Sequence, residues 1–221
     1  ISDETLADAR DWLAMIPEAG DRFFVEFAYY LVGWLLVLRG EFEEAEKVLQ
    51  TGLALMEETR NLWSGSYVLN WLAMLWRRRG QVQQARHYAS RALKTARAVQ
   101  HPEQVGLSQG HLSWVAWRAG KQAEAAELAQ AALRAWQRSQ WAYAFHWTAR
   151  FPLLAMALEG DRIPEALDHA RAMLDPMQQR LPADLVAALE GACQMGDGGQ
   201  PEAIRAQLRR SVEEAQDLGY L

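Results

Sequence analysis

The sequence has little cysteine, no long apolar run and no excess of positive charge. A single cysteine, Cys193, among 221 residues excludes a framework of internal disulfides. The apolar run from Leu31 to Leu38 is too short to span a bilayer. The formal net charge of −5 disfavours direct binding to nucleic acid. We therefore expect a cytoplasmic protein whose partner is neither a membrane nor a nucleic acid.

Sequence motifs of enzymes and metal sites are also absent. The chain contains no GxxxxGK[ST] loop, no HExxH, no paired Cys-x-x-Cys and no GxSxG. None of the five histidines has a second histidine or cysteine at the spacing of metal ligands. A metal pair formed by His111 and His146 is much less favoured than two ordinary polar positions. We expect no catalytic residue, no metal and no cofactor, so that the protein is not an enzyme.

What the sequence does contain is a repeat marked by glycine. Four glycines follow one another at intervals of 40 residues, at Gly40, Gly80, Gly120 and Gly160. An alanine stands five or six positions after each of them, at Ala45, Ala85, Ala125 and Ala166. A degenerate fifth copy runs from Gly199 to Ala203. A fixed period of this length predicts a solenoid of stacked repeats.

The apolar residues on both sides of each glycine have helical spacing, as at Val68, Leu72, Leu75 and Trp76. Sustained two-residue alternation, the mark of strands, is missing. The pattern predicts an all-α fold, with a leading helix over about 3–15 that ends near Pro17. About five helical hairpins follow, at 22–60, 65–99, 103–139 and 143–178, with a degenerate one at 183–217. We expect residues 1–221 to form a single solenoid domain and, because the chain starts without Met, to be a fragment of a longer protein.

A glycine, an alanine five residues later and then a small residue followed by leucine resemble the second half of the tetratricopeptide repeat. The small-then-large pairs are Gly52-Leu53, Ala92-Leu93 and Ala132-Leu133. The first half of the repeat is matched at Tyr29, Val32, Gly33 and Leu36, and again at Leu69, Leu72, Ala73 and Trp76. The resemblance implies a right-handed α–α superhelix. Its period of 40 exceeds the usual one of about 34, and resembles the long repeats of MalT-like transcription activators and of bacterial signalling ATPases.

In tetratricopeptide arrays the first helix of each pair lines a concave groove. Carried over position by position, the resemblance implies a groove lined by Tyr30, Trp34, Tyr67, Asn70, Arg77, Arg78, Trp114, Trp117, Arg118, Trp147 and Arg150. The same positions include apolar residues such as Phe27. A mixture of aromatic rings and arginines is typical of interface hot spots. The alternative is that the rings fill the seam between hairpins and the arginines are solvated helix ends.

We expect a protein-interaction or regulatory module of a larger bacterial signalling or transcription-regulator protein. Its groove would bind a protein or peptide segment, which includes segments of its own polypeptide. One alternative is a sensor of a sugar or an aromatic small molecule, because stacked tryptophans suit both. Another is a structural module that forms a homodimer through its apolar N-terminal repeat. The fourth hairpin, which has one extra residue and contains Pro152, is predicted to bend or loosen the stack.

Overall fold

A computed structural model describes residues 2–15, 21–139, 142–196 and 200–221. The described residues form helices and their connecting segments, with no strand among them. The predicted all-α class is therefore confirmed, although Pro17 and Gly199 lie outside the described residues. The helices are α1 (Asp3–Met15), α2 (Arg22–Arg39), α3 (Phe42–Glu58), α4 (Leu62–Arg78), α5 (Val82–Ala98), α6 (Pro102–Arg118), α7 (Gln122–Gln137), α8 (Trp147–Glu159), α9 (Ile163–Met173), α10 (Ala183–Met195) and α11 (Pro201–Asp217).

The helices pack as consecutive hairpins, the arrangement of an all-α solenoid. In the first half α2 packs on α3, α4 packs on α5, and α2 also packs on α4. In the second half the pairs are α8 with α9 and α10 with α11. The chain divides into two compact units, Ile1–Ser108 and Gln109–Leu221, and the division falls within α6. The prediction of one domain over 1–221 stays a prediction.

Three of the four predicted turn glycines adopt the left-handed conformation. Gly40, Gly80 and Gly120 have φ of 83°, 69° and 72°, which glycine accepts without a clash of Cβ. In the fourth hairpin Gly160 has a φ of −83°, and Asp161 is left-handed instead, with φ 57°. Counted from Asp161, the alanine at 166 is five residues away, as in the other repeats. The extra residue therefore precedes the turn, and the spacing between turn and alanine is constant.

The fourth hairpin is shorter than its predecessors. Its helices α8 and α9 have 13 and 11 residues, whereas α4 and α5 have 17 each. Pro152 lies inside α8 and has no N–H to donate to the preceding turn. The irregularity that the sequence predicted for this repeat is thus a loss of length, because α8 begins only at Trp147.

Small residues lie where helices approach most closely. Ala45, Ala85, Ala125 and Ala166 are fully buried. Gly52 in α3 faces α2, and a Cβ added to it would lie 2.7 Å from the Cβ of Tyr29. Gly65 in α4, by contrast, has open space where its Cβ would be. The two helical glycines therefore serve different purposes: only Gly52 is required by packing.

We predict that Gly52→Ala destabilises the protein by about 1–3 kcal/mol, because the new Cβ forces α2 and α3 apart. The matched variant Gly65→Ala should raise the free energy of unfolding by up to about 1 kcal/mol, the gain in helix propensity. Urea unfolding followed by circular dichroism measures both. Equal effects of the two substitutions would contradict the close approach of α2 and α3.

Candidate functional site

Four of the predicted groove residues are core residues. Asn70, Arg77, Trp114 and Trp147 are all buried, and their side chains are covered by neighbouring helices. Burial also lowers the pKa of the Arg77 guanidinium. A buried side chain contacts no partner in this conformation, so the interpretation in which rings fill the seam between hairpins applies to Trp114 and Trp147.

Asn70 belongs to a buried polar network that joins α4 to the start of α6. Its Nδ2 donates to the backbone oxygen and to Oε1 of Gln104, at 3.1 and 2.9 Å. Ser108 Oγ in turn donates to Asn70 Oδ1 at 2.9 Å. Each polar atom of the amide is therefore satisfied inside the first unit, as buried amides require. This geometry gives Asn70 a structural role.

The remaining predicted residues of the second unit lie nearer the surface. The Arg118 guanidinium lies 5.5 Å from the Trp114 ring centroid and is exposed. Arg150 Nη1 lies 3.2 Å from Nδ1 of His169. Trp117 is half-buried. In the first unit, Arg78 lies 5.8 Å from the ring centroid of Phe42 in α3. Three of the four predicted arginines, Arg78, Arg118 and Arg150, thus make intramolecular contacts with rings.

The structure brings Tyr30, Trp34 and Tyr67 together at one cavity of about 360 Å³ between α2 and α4. The ring centroid of Tyr30 lies 6.2 Å from that of Trp34 and 5.2 Å from that of Tyr67. We call this space the aromatic cavity. Six rings line it: Phe23, Phe27, Tyr30, Trp34, Trp63 and Tyr67. Leu31, Glu26 and Ser64 complete its lining.

Two polar side chains meet beside the aromatic cavity: Tyr67 of α4 and His101, which directly precedes α6. Tyr67 Oη lies 2.9 Å from Nε2 of His101, whose ring also contacts Trp63 at a centroid distance of 4.2 Å. Burial lowers the pKa of His101, so this ring is neutral at pH 7. Burial, assisted by Tyr67, raises the pKa of Tyr30 to about 12. The His101 ring and the Tyr30 hydroxyl are therefore both neutral at pH 7.

Glu26 enters the aromatic cavity from α2. Its Oε1 accepts a hydrogen bond from Thr59 Oγ1 at 2.6 Å, and its Oε2 accepts one from Asn61 Nδ2. Asn61 is the N-cap of α4, because its Oδ1 accepts from the backbone N–H of Ser64. The cap of one helix thus fixes a carboxylate of another.

Sequence reasoning missed Glu26 and Trp63. Glu26 is the one acidic residue of the apolar helix α2, and that isolation was the available signal. Trp63 follows the cap residue Asn61 and lies outside the positions carried over from the repeat. Three rings of the aromatic cavity are substantially exposed: Phe23 by 58%, Trp63 by 50% and Phe27 by 42%. Exposed apolar side chains grouped around a cavity mark an interaction surface.

Comparisons with known proteins identify the fold and no family. No family model matches the chain, and no curated protein matches it. A likeness of fold links it to 14 chains of known structure. One is the crystal structure of BtubC (BKLC) from P. vanneervenii, with a TM-score of 0.60 and 16% sequence identity, over 97% of this chain and 89% of that chain. The shared feature is an all-helical, repeat-like fold.

The described residues contain neither a cluster of metal ligands nor a helix that could span a membrane. No cluster of three or more histidine, cysteine, aspartate or glutamate side chains in this part of the chain could hold a metal ion. None of the helices described above combines the length and the apolar character that crossing a membrane demands. The aromatic cavity is the candidate functional site because it brings together Tyr30, Trp34 and Tyr67, three of the predicted groove residues.

The second unit contains two histidines that should make stability depend on pH. Burial, reinforced by the charge of Arg150, lowers the pKa of His146 and of His169 to about 4, from an ordinary value of 6.5. The unfolded chain therefore binds more protons between these values. We predict that the free energy of unfolding falls as pH falls from about 6.5 to about 4.

His169→Gln should reduce that loss by on the order of 1 kcal/mol, after allowance for solvent screening. The matched control is His87→Gln, at an exposed histidine of the first unit. Urea unfolding at several pH values measures both variants. If the two variants follow the same pH profile, the buried histidines do not control acid stability.

Proposed function

We propose that the chain is a non-enzymatic binding module that recognises a segment of a partner protein through the aromatic cavity. The partner inserts one side chain between α2 and α4, and the exposed rings around the opening contact the residues beside it. The helix α3 packs against both α2 and α4 and keeps them in register. We further propose that the module regulates a larger bacterial signalling or transcription-regulator protein, with the partner segment coming from another protein or from elsewhere in the same polypeptide.

The observation that carries this proposal is the combination of a cavity with exposed rings at its opening. A cavity of about 360 Å³ accepts one large side chain or a small ligand. Phe23, Phe27 and Trp63 extend the apolar surface beyond it. Binding energy at protein interfaces concentrates in aromatic anchors that fill such pockets. The exposed rings favour a partner that covers more surface than a small molecule does.

Membership of the tetratricopeptide class is part of the same proposal. It is supported by the left-handed turn glycines and by the buried alanine five residues after each turn. Tetratricopeptide arrays bind partners along their first helices, and α2 and α4 are the first helices of the first two hairpins. The MalT-like assignment rests on the long period of the repeat and on segments 96–104 and 213–221, which resemble the helix ends of that group.

A sensor of small molecules is the second candidate function. The volume of the aromatic cavity lies within the range of about 300–1,000 Å³ that ligand pockets occupy. A free ligand would be enclosed by the inner rings Tyr30, Trp34 and Tyr67 and would need little contact with Trp63 at the rim. The two functions therefore differ in their dependence on the exposed rings.

Selection of random-sequence peptides displayed on phage tests the proposal. We expect peptides that bind the wild-type chain to lose about tenfold or more in affinity for Trp63→Ala, because the anchor loses one wall and the flanking residues lose a contact. Fluorescence polarisation of the labelled peptides measures the change. Trp63 is half exposed, so its removal leaves the core intact.

Met177→Ala is the matched control, since Met177 is 64% exposed and lies in the second unit. Equal binding by wild type, Trp63→Ala and Met177→Ala would overturn the assignment of the site. Sedimentation across concentration is run in parallel. A dimer that Trp63→Ala dissociates would show that the surface binds a second copy of the chain.

A further inference from the structure

Glu26 is an unusual residue for the wall of an apolar cavity. Glu26 is only 2% exposed, and it lines the cavity together with the rings of Phe27, Tyr30 and Trp63. Removing a carboxylate from water is costly unless hydrogen bonds and an opposite charge compensate. Such a residue calls for a reason beyond packing, because an apolar side chain of similar volume would fill the space at lower cost.

Glu26 is held in place by hydrogen bonds to both of its carboxyl oxygens. The Asn61 amide is oriented by its cap, since Oδ1 accepts from the Ser64 N–H and Nδ2 must then donate to Glu26. The Thr59 hydroxyl donates to the other oxygen at 2.6 Å. Both carboxyl oxygens are therefore fixed by polar side chains of the turn between α3 and α4.

The two side chains that donate to Glu26, Thr59 and Asn61, are both neutral. Across residues 2–15, 21–139, 142–196 and 200–221, no lysine, arginine or histidine forms an ion pair with Glu26. Neighbouring acidic residues differ: Glu58 pairs with Arg22, and Glu57 pairs with Arg91. Glu26 is also the one charged residue among the described residues that line the aromatic cavity.

From this we infer that the group which the partner inserts into the aromatic cavity is an alkylammonium cation, the chemistry of a lysine side chain with or without N-methyl groups. The inference rests on the function proposed above. Ring faces attract a cation within about 6 Å of their centroids, and several rings around one site are the usual solution for methylated ammonium groups. The buried carboxylate adds a counter-charge that water screens little. An anionic anchor is disfavoured, because no basic side chain lines the described part of the cavity.

Titration with choline tests the inference, with a neutral isostere in which a tert-butyl group replaces the trimethylammonium group. Shape and apolar surface are nearly equal, so a difference between the two reports charge. We expect calorimetry to give about tenfold or greater preference for choline. The indole resonance of Trp34, assigned through a Trp34→Phe variant, should shift on binding because this inner ring lines the aromatic cavity.

Glu26→Gln should abolish most of the preference for choline and retain binding of the neutral isostere. Retained isostere binding shows that the aromatic cavity is still folded in the variant. Glu58→Gln is the matched control, because it removes the same charge from an exposed site outside the aromatic cavity. It should bind both probes as wild type does.

Equal affinity for choline and the isostere, or failure of both to bind, would overturn the inference. So would unchanged choline preference in Glu26→Gln. These outcomes are distinguishable from failure of the proposed function. If the selected peptides depend on Trp63 but carry no cationic residue, the proposed binding function holds and only the proposal of a cationic ligand is contradicted. If the affinity of the selected peptides does not change in Trp63→Ala, the proposed binding function is contradicted.

Discussion

The structure depends on the close approach of paired helices, which small residues permit. Where α2 meets α3, the backbone of Gly52 lies so near Tyr29 that even a methyl group does not fit. Fully buried alanines occupy the corresponding region of the other hairpins. Helices held at this separation have one rotational setting, because turning either of them would bring a larger side chain into the contact. The repeat period therefore fixes which side chains face the next hairpin.

The aromatic cavity follows from that constraint together with a local departure from the repeat. In the first two hairpins, α2 and α4 carry rings at the repeat positions 30, 34 and 67. Rings pack with centroids several ångströms apart, and their flat shapes leave space that branched aliphatic side chains would fill. Glu26 of α2, with its partners Thr59 and Asn61 in the turn between α3 and α4, then places a polar group at the edge of that space. The fold supplies the walls, and these three residues supply the polar chemistry.

The fold could be predicted from the sequence because its signals are local. Helical periodicity located the hairpins, and glycine located three left-handed turns. Arg60 and Gln100 adopt the same left-handed conformation between hairpins, with φ of 56° and 54°, and nothing in their residue types announces it. Asp161 was missed for a related reason: Gly160 stands beside it, and glycine is the residue that one expects in such a turn.

The candidate site was predicted only in part, because a position within a repeat does not tell what covers it. The register that brought Tyr30, Trp34 and Tyr67 to the aromatic cavity also selected Asn70, which is buried against Gln104. The isolation of Glu26 in α2 marks it as unusual, but its hydrogen bonds could not be predicted from local sequence, since its partners Thr59 and Asn61 lie 33 and 35 residues away. Burial and long-range hydrogen bonding are properties of the packed chain.

The side-chain amide of Asn61 makes hydrogen bonds to two different helices, and these bonds couple the helices energetically. Its carbonyl oxygen begins α4 through the Ser64 N–H, and its amide nitrogen holds Glu26 of α2. The first turn of α4 and the carboxylate in the aromatic cavity are therefore coupled through the amide group of one side chain. A change of charge or position at Glu26 acts on the beginning of α4, and fraying of that helix leaves Glu26 with only its hydrogen bond from Thr59. The order of the first turn of α4 and the position of the Glu26 carboxyl group at the aromatic cavity therefore depend on each other.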